Sequence, residues 1–293
     1  MGNARRELLG AGALVLDVRG CPGPPPLRFE VADGGRMLLR QSERAVLLGR
    51  VEEWNQGVYV SRYDGYRPPL PPIGSALMRN PANWVHTYAG WLAEAREGPL
   101  HDSRWLLGAR SAFPPYVWHG EDFVRAWPHC HLDWSAAGWH GVVPLRPLSP
   151  EDAPRVKAYR KHARDGTLAP VLLWWVTALD GWLLLDGHDR AVAALAEGLT
   201  PPCVVLTRVP EEEDWRHTAD EVTDSHEARL ERLAARPAAP GIERQRETML
   251  RAYADTLSSL PYEPARTRSW PLPGGAPAWD ALAAAAMFQF PRD

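Results

Sequence analysis

The sequence predicts an α+β fold, and three observations lead to that prediction. Residues 1–79 contain short apolar runs separated by glycine- and proline-rich turns, which is typical of β-rich structure. Residues 141–210 alternate between strand-like and helix-like patterns in the order β-α-β-β-α-β. Residues 211–293 are charged and have helical periodicity. Residues 80–140, a helix followed by a Trp-rich irregular segment, complete four predicted regions.

The β-rich N-terminal region contains several candidate strands. Apolar or alternating runs predict strands over residues 14–18, 27–31, 37–39 and 58–60. The sequence Asp33-Gly34-Gly35 separates the second run from the third and predicts a hairpin. The proline-rich run at 68–72 breaks the chain and predicts a boundary or a rigid connector.

The second region begins with a predicted helix over residues 80–97, in which Asn80 is the N-cap and Pro81 the first helical residue. Half of the 14 tryptophans lie between Trp84 and Trp139. They fit large side chains that pack an irregular region, or a stacking wall for an aromatic or sugar-like ligand. The sequence His129-Cys130-His131 matches no strong zinc spacing, and the three cysteines are too widely spaced for a disulfide framework.

In the third region, residues 142–145 form the first predicted strand of the β-α-β-β-α-β pattern. The next helix is predicted to begin with Ser149 as cap and Pro150 in the first position, and to run to about Ala163. The remaining elements are strands over residues 170–176 and 182–185, a helix over 190–197 and a strand over 203–206.

The most specific feature of the chain is the turn that follows the strand at 182–185. Its sequence is Asp186-Gly187-His188-Asp189-Arg190, and an alanine-rich helix comes next. Main-chain N–H groups point outward at a helix N-terminus, and the helix end carries roughly half a positive charge. A glycine and an arginine at such a helix end predict a seat for an anion.

These residues resemble the ParB/sulfiredoxin-like superfamily over residues 142–206. The matching segments are VVPLRPLSPED, LAPVLLWWVTALDGWLLLDGHDRAVAALAEGL and PPCVVL, and the G-x-x-R-x-x-A core stands at Gly187, Arg190 and Ala193. Members of the superfamily bind nucleotides at this turn, so the resemblance implies ATP, ADP or CTP together with Mg²⁺. The Asp-Gly-His-x-Arg turn is locally most similar to the free-serine kinases. His188 stands where sulfiredoxins have cysteine, so sulfiredoxin chemistry is not expected.

The resemblance also implies a set of site residues. The cofactor-binding candidates are Gly187, His188 and Arg190. The catalytic candidates are Glu151, Asp152, Asp186 and His188, and Asp186 is the candidate Mg²⁺ ligand. Free-serine kinases supply a glutamate from the start of the preceding helix, and Glu151 or Asp152 is the nearest candidate for its counterpart here. The alternative for both is an ordinary acid in a first helical turn.

The turn residues have structural alternatives as well. Gly187 fits a turn that requires glycine, whether or not a phosphate approaches it. Arg190 fits a phosphate ligand or a salt bridge to Asp186 or Asp189. Asp186 fits a helix cap, an Mg²⁺ ligand or a base, and Asp189 fits a solvated first-turn acid.

The leading functional hypothesis is a nucleotide-binding protein that transfers phosphate to a small hydroxyl compound. The alternative is a non-catalytic nucleotide- or partner-sensing module that docks another protein through the amphipathic face of residues 242–260. A second alternative is a DNA-associated ParB-like protein, which the net charge of −3 and the acidic run at 211–214 do not favour. No apolar run approaches the roughly 20 residues of a membrane span. The N-terminal residues lack a signal-peptide pattern, so a cytoplasmic protein is expected.

Overall fold

The structure is a computed structural model that divides into two units. It describes residues 3–9, 12–52, 56–80, 83–110, 113, 116–119, 127–134, 141–235 and 241–286. The first unit comprises residues 1–207 and 266–293, and the second comprises residues 208–265. The α+β prediction is confirmed, because helices and mixed sheets are both present. The first three predicted regions fall largely in one unit, and the predicted C-terminal region is divided between the two.

The elements of the described chain have the following bounds. The strands are β1 (Asn3–Leu9), β2 (Ala13–Arg19), β3 (Leu27–Ala32), β4 (Arg36–Gln41), β5 (Arg44–Val51), β6 (Gly57–Arg62), β7 (Ser103–Arg110), β8 (His129–Asp133), β9 (Val142–Pro144), β10 (Val171–Val176), β11 (Gly181–Asp186), β12 (Cys203–Val209) and β13 (Ser269–Pro271). The helices are α1 (Ser75–Arg79), α2 (Trp84–Glu94), α3 (Tyr116–His119), α4 (Pro154–Arg164), α5 (His188–Leu195), α6 (Glu212–Ala234), α7 (Ile242–Ser259) and α8 (Gly275–Ala285).

The larger sheet has the spatial order β1-β2-β7-β12-β10-β11-β9. β10 pairs parallel with β12 and antiparallel with β11, and β11 pairs parallel with β9. The predicted β-α-β-β-α-β succession is therefore present, with α4 between β9 and β10 in the chain and α5 between β11 and β12. Val171 and Leu173 of β10 belong to one apolar cluster, and Leu172 and Trp174 to another. β10 is thus buried on both faces of the sheet, which explains its continuous apolar run.

The smaller sheet has the order β13-β3-β4-β5-β6-β8. Phe29 and Leu39 face the apolar cluster shared with the larger sheet. Leu38 and Leu48 face the opposite way and pack against Trp279 of α8. The C-terminal segment therefore covers the outer face of this sheet.

Several predicted strands are confirmed and others were missed. The hairpin at Asp33-Gly34-Gly35 joins β3 to β4 as predicted, and β2 and β6 match predicted runs. The segment predicted to be irregular contains β7, which lies between β2 and β12 inside the larger sheet. β8, in the same segment, and β1, β5 and β13 were not predicted either. β7 escaped prediction because Ser-Arg-Trp-Leu-Leu-Gly-Ala-Arg has no clear alternation, although its partners bury it.

Helix starts differ from their predictions. α2 begins at Trp84, and the side chain of Asn83, not Asn80, accepts a hydrogen bond from the main-chain N–H of His86, at 3.3 Å. α4 begins at Pro154 with Ala153 as N-cap, so the prediction that Ser149 caps this helix is wrong. α5 spans residues 188–195, two residues earlier than predicted. These shifts matter because the residues before α4 and α5 form the candidate site.

The second unit is a helical hairpin formed by α6 and α7. The imidazole of His226 stacks on the ring of Tyr253, with centroids 4.1 Å apart and planes 6° from parallel. The hydroxyl groups of Thr223 and Tyr253 are hydrogen-bonded at 2.9 Å. Ala265 N–H donates to the carbonyl oxygen of Arg208, at 2.8 Å, which closes the two ends of the unit. The predicted helices are thus confirmed here.

Candidate functional site

Gly187 joins β11 to α5 in a conformation that glycine alone adopts without strain. Its φ is 91°, in the left-handed region. A Cβ atom at this position would lie 2.8 Å from Nη2 of Arg190 and 2.9 Å from Cγ1 of Val171. The turn and the close approach of Arg190 therefore account for Gly187 without a ligand, which is the structural alternative given above.

Asp186 and Arg190 form a buried ion pair across this turn. Nη2 of Arg190 donates to Oδ1 of Asp186, at 2.7 Å, and to the carbonyl oxygen of Pro170, at 3.1 Å. The same nitrogen lies 3.4 Å from the hydroxyl of Tyr88, which itself donates to Pro170 O at 2.5 Å. Asp186 is 8% exposed and Arg190 is 3% exposed. Of the two interpretations of Arg190, the structure therefore supports the salt bridge to Asp186.

The electrostatics of Asp186 combine two opposing effects. Burial raises the pKa of its carboxyl group above the usual range, while the guanidinium groups of Arg190, Arg146 and Arg155 act to lower that pKa. No side-chain cap is formed at the N-terminus of α5, so the predicted capping role of Asp186 is wrong. Its carboxylate is instead the counter-charge of Arg190.

His188 is fully buried, with no exposed surface. Its Nε2 atom accepts a hydrogen bond from the main-chain N–H of Leu145, at 3.2 Å, so the proton of the neutral ring lies on Nδ1. Burial lowers the pKa of His188 well below its usual range, and Arg146 and Arg190 lower it further. His188 is therefore uncharged at neutral pH and holds the residue that follows β9 against the turn.

Asp189 is not the solvated acid that the sequence predicted, because it is 7% exposed. Its Oδ1 atom accepts a hydrogen bond from the hydroxyl of Ser149, at 2.8 Å. Its Oδ2 atom lies 3.6 Å from Nη2 of Arg146 and 3.5 Å from Nε of Arg155. The segment before α4 is thus joined to the first turn of α5 through one carboxylate.

Glu151 and Asp152 lie in the turn that precedes α4, and both are exposed. A hydrogen bond from Ala153 N–H to the carbonyl oxygen of Pro150, at 3.0 Å, closes that turn. The prediction that the two acids lie in the first turn of the helix is therefore wrong. Ser149, in the same segment, contacts the site through Asp189.

Asp186 does not fit the predicted role of Mg²⁺ ligand. Its carboxylate is already paired with Arg190, and the other charges that act on it are arginines. Mg²⁺ prefers several oxygen ligands and retains much of its water. In the part of the chain that the structure describes, no group of three or more His, Cys, Asp or Glu residues is placed to hold a metal ion.

The site contains more donors and more positive charge than its own acids neutralise. Arg146, Arg155 and Arg190 face two carboxylates, those of Asp186 and Asp189, and His188 is neutral. Three buried nitrogens find no acceptor among the described residues, and they are Nε of Arg146, Nδ1 of His188 and Nε of Arg190. Buried polar atoms are rarely left unpaired in folded proteins. An anion bound at this turn would offset the excess positive charge and would accept hydrogen bonds from the partly exposed guanidinium groups of Arg146 and Arg155.

Besides Ser149, four residues of this site were not predicted from the sequence. Arg146 and Arg155 border Asp189, as described above, and Tyr66 and Tyr88 reach the turn from the N-terminal half of the chain. The hydroxyl of Tyr66 donates to the carbonyl oxygen of Leu185, at 2.9 Å. Burial raises the pKa of both tyrosines. No local pattern marks such contacts, because they link residues up to 119 positions apart.

The described part of the Trp-rich segment serves packing. Trp105 and Trp118 are buried, and the ring of Trp105 lies 6.5 Å from that of Trp174. Trp139 lies outside the described residues. The ring of His131 on β8 contacts that of Tyr59 at a tilt of 37°, with centroids 4.4 Å apart, and its Nε2 atom lies 3.1 Å from Oε1 of Glu52. These contacts favour the packing interpretation over a ligand wall for the residues concerned.

Comparison of the chain with protein-family models, curated proteins and solved structures finds no match in any of the three. Within the described residues, no helix combines the length and the apolar character needed to cross a membrane.

Proposed function

We propose that the chain binds a phosphate-bearing ligand at the turn between β11 and α5. The observation that supports this most is the surplus of buried N–H donors and of positive charge at Arg146, His188 and Arg190. The N-terminus of α5 adds a partial positive charge at the same place. Charge-assisted hydrogen bonds to phosphate are the contacts that such a surplus favours.

Arg146 and Arg155 would make the first contacts with this ligand. Their side chains are 35% and 58% exposed, whereas Arg190 is committed to Asp186 inside the protein. The ion-pair distances from both arginines to Asp189 exceed those of a strong hydrogen bond. Both guanidinium groups therefore keep donors for a second anion.

The resemblance to the ParB/sulfiredoxin-like superfamily supplies the chemical class of the ligand, a nucleotide such as ATP, ADP or CTP. The β-α-β-β-α-β succession and the left-handed glycine before α5 are consistent with that resemblance. In this proposal Asp186, Gly187, His188 and Arg190 fix the shape and the potential of the turn, and Mg²⁺ arrives with the phosphates and not on Asp186.

Phosphoryl transfer to a small hydroxyl compound is the catalytic form of the same proposal. Glu151 and Asp152 are exposed and lie close in sequence to Ser149, so either carboxylate is accessible to a substrate hydroxyl. Neutral, buried His188 and paired Asp186 do not fit the role of a base in this conformation. Of the predicted catalytic residues, the two exposed acids are the ones that this proposal retains.

Calorimetric titration of the purified protein with ATP, ADP and CTP, with and without Mg²⁺, tests the proposal. Because each charge-assisted hydrogen bond contributes about 1.5–3 kcal/mol, we expect the Arg146→Met/Arg155→Met variant to lose at least about tenfold in affinity. Arg79→Met is the matched control, since Arg79 is exposed and its Nε donates only within its own helix, to Ser75 O at 3.2 Å. Equal affinity in the double variant and the wild type would refute the site.

Mass analysis of the same mixtures, with hydroxyl compounds added, tests the catalytic form. Turnover that is lost in Glu151→Gln or Asp152→Asn, with nucleotide affinity retained, would support phosphoryl transfer. Binding without turnover would leave the non-catalytic nucleotide-binding module.

The surface of α7 favours a second candidate function, partner binding. None of its residues from Ile242 to Ser259 is buried, and Leu250 is 45% exposed. Part of the predicted amphipathic face is used inside the hairpin, where Tyr253 stacks on His226. A Leu250→Asp variant would lose a partner docked on this face, while Leu199→Asp, an exposed leucine of the first unit, would not. Identical complexes from both variants would exclude α7 as the docking site.

A further inference from the structure

Asp189 receives contacts that a phosphate oxygen would otherwise receive. Its carboxylate lies in the first turn of α5, where the helix end favours negative charge. A hydroxyl donor, Ser149, and two arginines, Arg146 and Arg155, surround it at 2.8, 3.6 and 3.5 Å. The protein thus fills part of its own anion site with a carboxylate.

We propose that Asp189 is an internal competitor that sets the affinity and the selectivity of this site. An incoming phosphate takes the arginine contacts that Asp189 holds in the free protein. This inference rests on the proposed function of the turn, because it assumes that the ligand binds to Arg146 and Arg155.

The two kinds of contact at Asp189 differ in strength, which makes the exchange feasible. The hydrogen bond from Ser149 has an ordinary length for O–H···O, whereas both arginine contacts are longer than a good N–H···O hydrogen bond. Arg155 is also held by Tyr159, whose hydroxyl lies 3.2 Å from Arg155 Nε and whose ring lies 5.6 Å from the guanidinium carbon. Ser149 can therefore retain Asp189 while the arginines turn to the ligand.

The competition selects ligands by charge. A monoanion that replaces the carboxylate of Asp189 gains no extra Coulombic attraction to the arginines. A diphosphate or triphosphate presents several negative charges within a few ångströms and outcompetes a single carboxylate. Asp189 therefore keeps small monoanions from the site and admits polyphosphates.

Titration with inorganic tripolyphosphate tests the inference directly. We expect Asp189→Asn, which keeps an acceptor for Ser149 but removes the charge, to bind tripolyphosphate about ten to a hundred times more tightly than the wild type. Asp165→Asn is the matched control, because it removes an exposed carboxylate at the end of α4. It should bind like the wild type.

Ser149→Ala provides a milder change in case Asp189→Asn fails to fold. Asp189 then loses the hydrogen bond that holds it while the arginines turn to the ligand, so its carboxylate competes more strongly for them and the affinity for tripolyphosphate should fall severalfold. Acetate should weaken tripolyphosphate binding to Asp189→Ala, where it can take the vacated carboxylate position, and should have no such effect on the wild type.

The outcomes separate this inference from the function on which it rests. Suppose that Asp189→Asn and the wild type bind tripolyphosphate equally well and that Arg146→Met/Arg155→Met does not bind it. That result would overturn the competitor role alone. Absence of binding in every variant, or binding indifferent to the two arginines, would overturn the proposed function and the inference together. Tighter binding by Asp189→Asn than by the wild type, with both affinities dependent on the two arginines, would support both.

Discussion

The guanidinium of Arg190 lies 2.7 Å from the carboxylate of Asp186, and both side chains are almost completely shielded from solvent. The pair spans the turn that contains Gly187 and connects β11 to α5. Breaking a buried pair on one side leaves an uncompensated charge, which is far more costly than removing both charges. The stability of the turn therefore depends on the two residues jointly.

Replacement of Arg190 alone should strongly destabilise the first unit. We expect Arg190→Met to lower the free energy of unfolding by about 3–5 kcal/mol, because Asp186 is left buried without its partner. The double variant Asp186→Asn/Arg190→Met should recover much of that loss. Urea unfolding followed by circular dichroism measures both, and a double variant no more stable than Arg190→Met would show that the pair is not the cause.

Gly187 offers a test of the turn that does not involve charge. Gly187→Ala should cost more than the roughly 1–2 kcal/mol of a left-handed non-glycine residue, because its Cβ would also collide with Arg190 and Val171. The control is Gly166→Ala, where φ is also positive but nothing lies within 4 Å of the added Cβ. Equal unfolding midpoints for the two variants would contradict the close approach of Arg190.

His188 should make the stability of the protein sensitive to acid. Because burial depresses the pKa of its folded form below the usual 6.5, the unfolded chain takes up a proton at His188 where the native state does not. Stability from this residue is present above pH 6.5 and is lost as the pH falls toward the folded pKa, at about 1.4 kcal/mol per pH unit.

The comparison with His188→Gln isolates that contribution, since glutamine offers an acceptor to Leu145 N–H but does not titrate. Unfolding measured from pH 7.5 to pH 5 should show a smaller decline for the variant than for the wild type. Parallel pH profiles would mean that His188 titrates normally in the folded protein.

The C-terminal segment should contribute to stability through Trp279. Its Nε1 donates to the carbonyl oxygen of Met37, at 2.9 Å, and its ring packs on Leu38 and Leu48. Trp279→Ala should cost about 3–5 kcal/mol and expose the segment after residue 266 to protease. Asp280→Asn, which removes an ion pair with Arg36 that is partly exposed, should change stability by less than about 1 kcal/mol. A protease-resistant Trp279→Ala variant would contradict this role.

The elements around the site could be predicted because their sequence signals are strong and local. The buried strands β10, β11 and β12 are short apolar runs bounded by turn residues, and the alanine-rich helix α5 follows a glycine. The start of α4 could not be predicted, because Ser149-Pro150 carries the same cap signal as a real helix start. The hydroxyl of Ser149 instead serves Asp189, 40 residues away.

The contacts between the residues of the site could not be predicted from local sequence patterns. Asp189 stands at a position typical of a solvated first-turn acid, and only tertiary structure places Arg146 and Arg155 beside it. Arginine is also abundant throughout the chain, so neither residue was conspicuous in the sequence. Tyr66 and Tyr88 come from segments with no resemblance to any nucleotide-binding pattern, yet both contact the turn or its partners.

Hydrogen–deuterium exchange with and without ATP or CTP tests the location of the ligand most directly. In the wild type we expect the nucleotide to slow amide exchange in peptides covering residues 145–160 and 186–195, and in the Arg146→Met/Arg155→Met variant we expect it to leave exchange unchanged. Slower exchange confined to other peptides, such as those covering residues 103–119, or unchanged exchange at saturating nucleotide, would contradict the claim that phosphate binds at this turn.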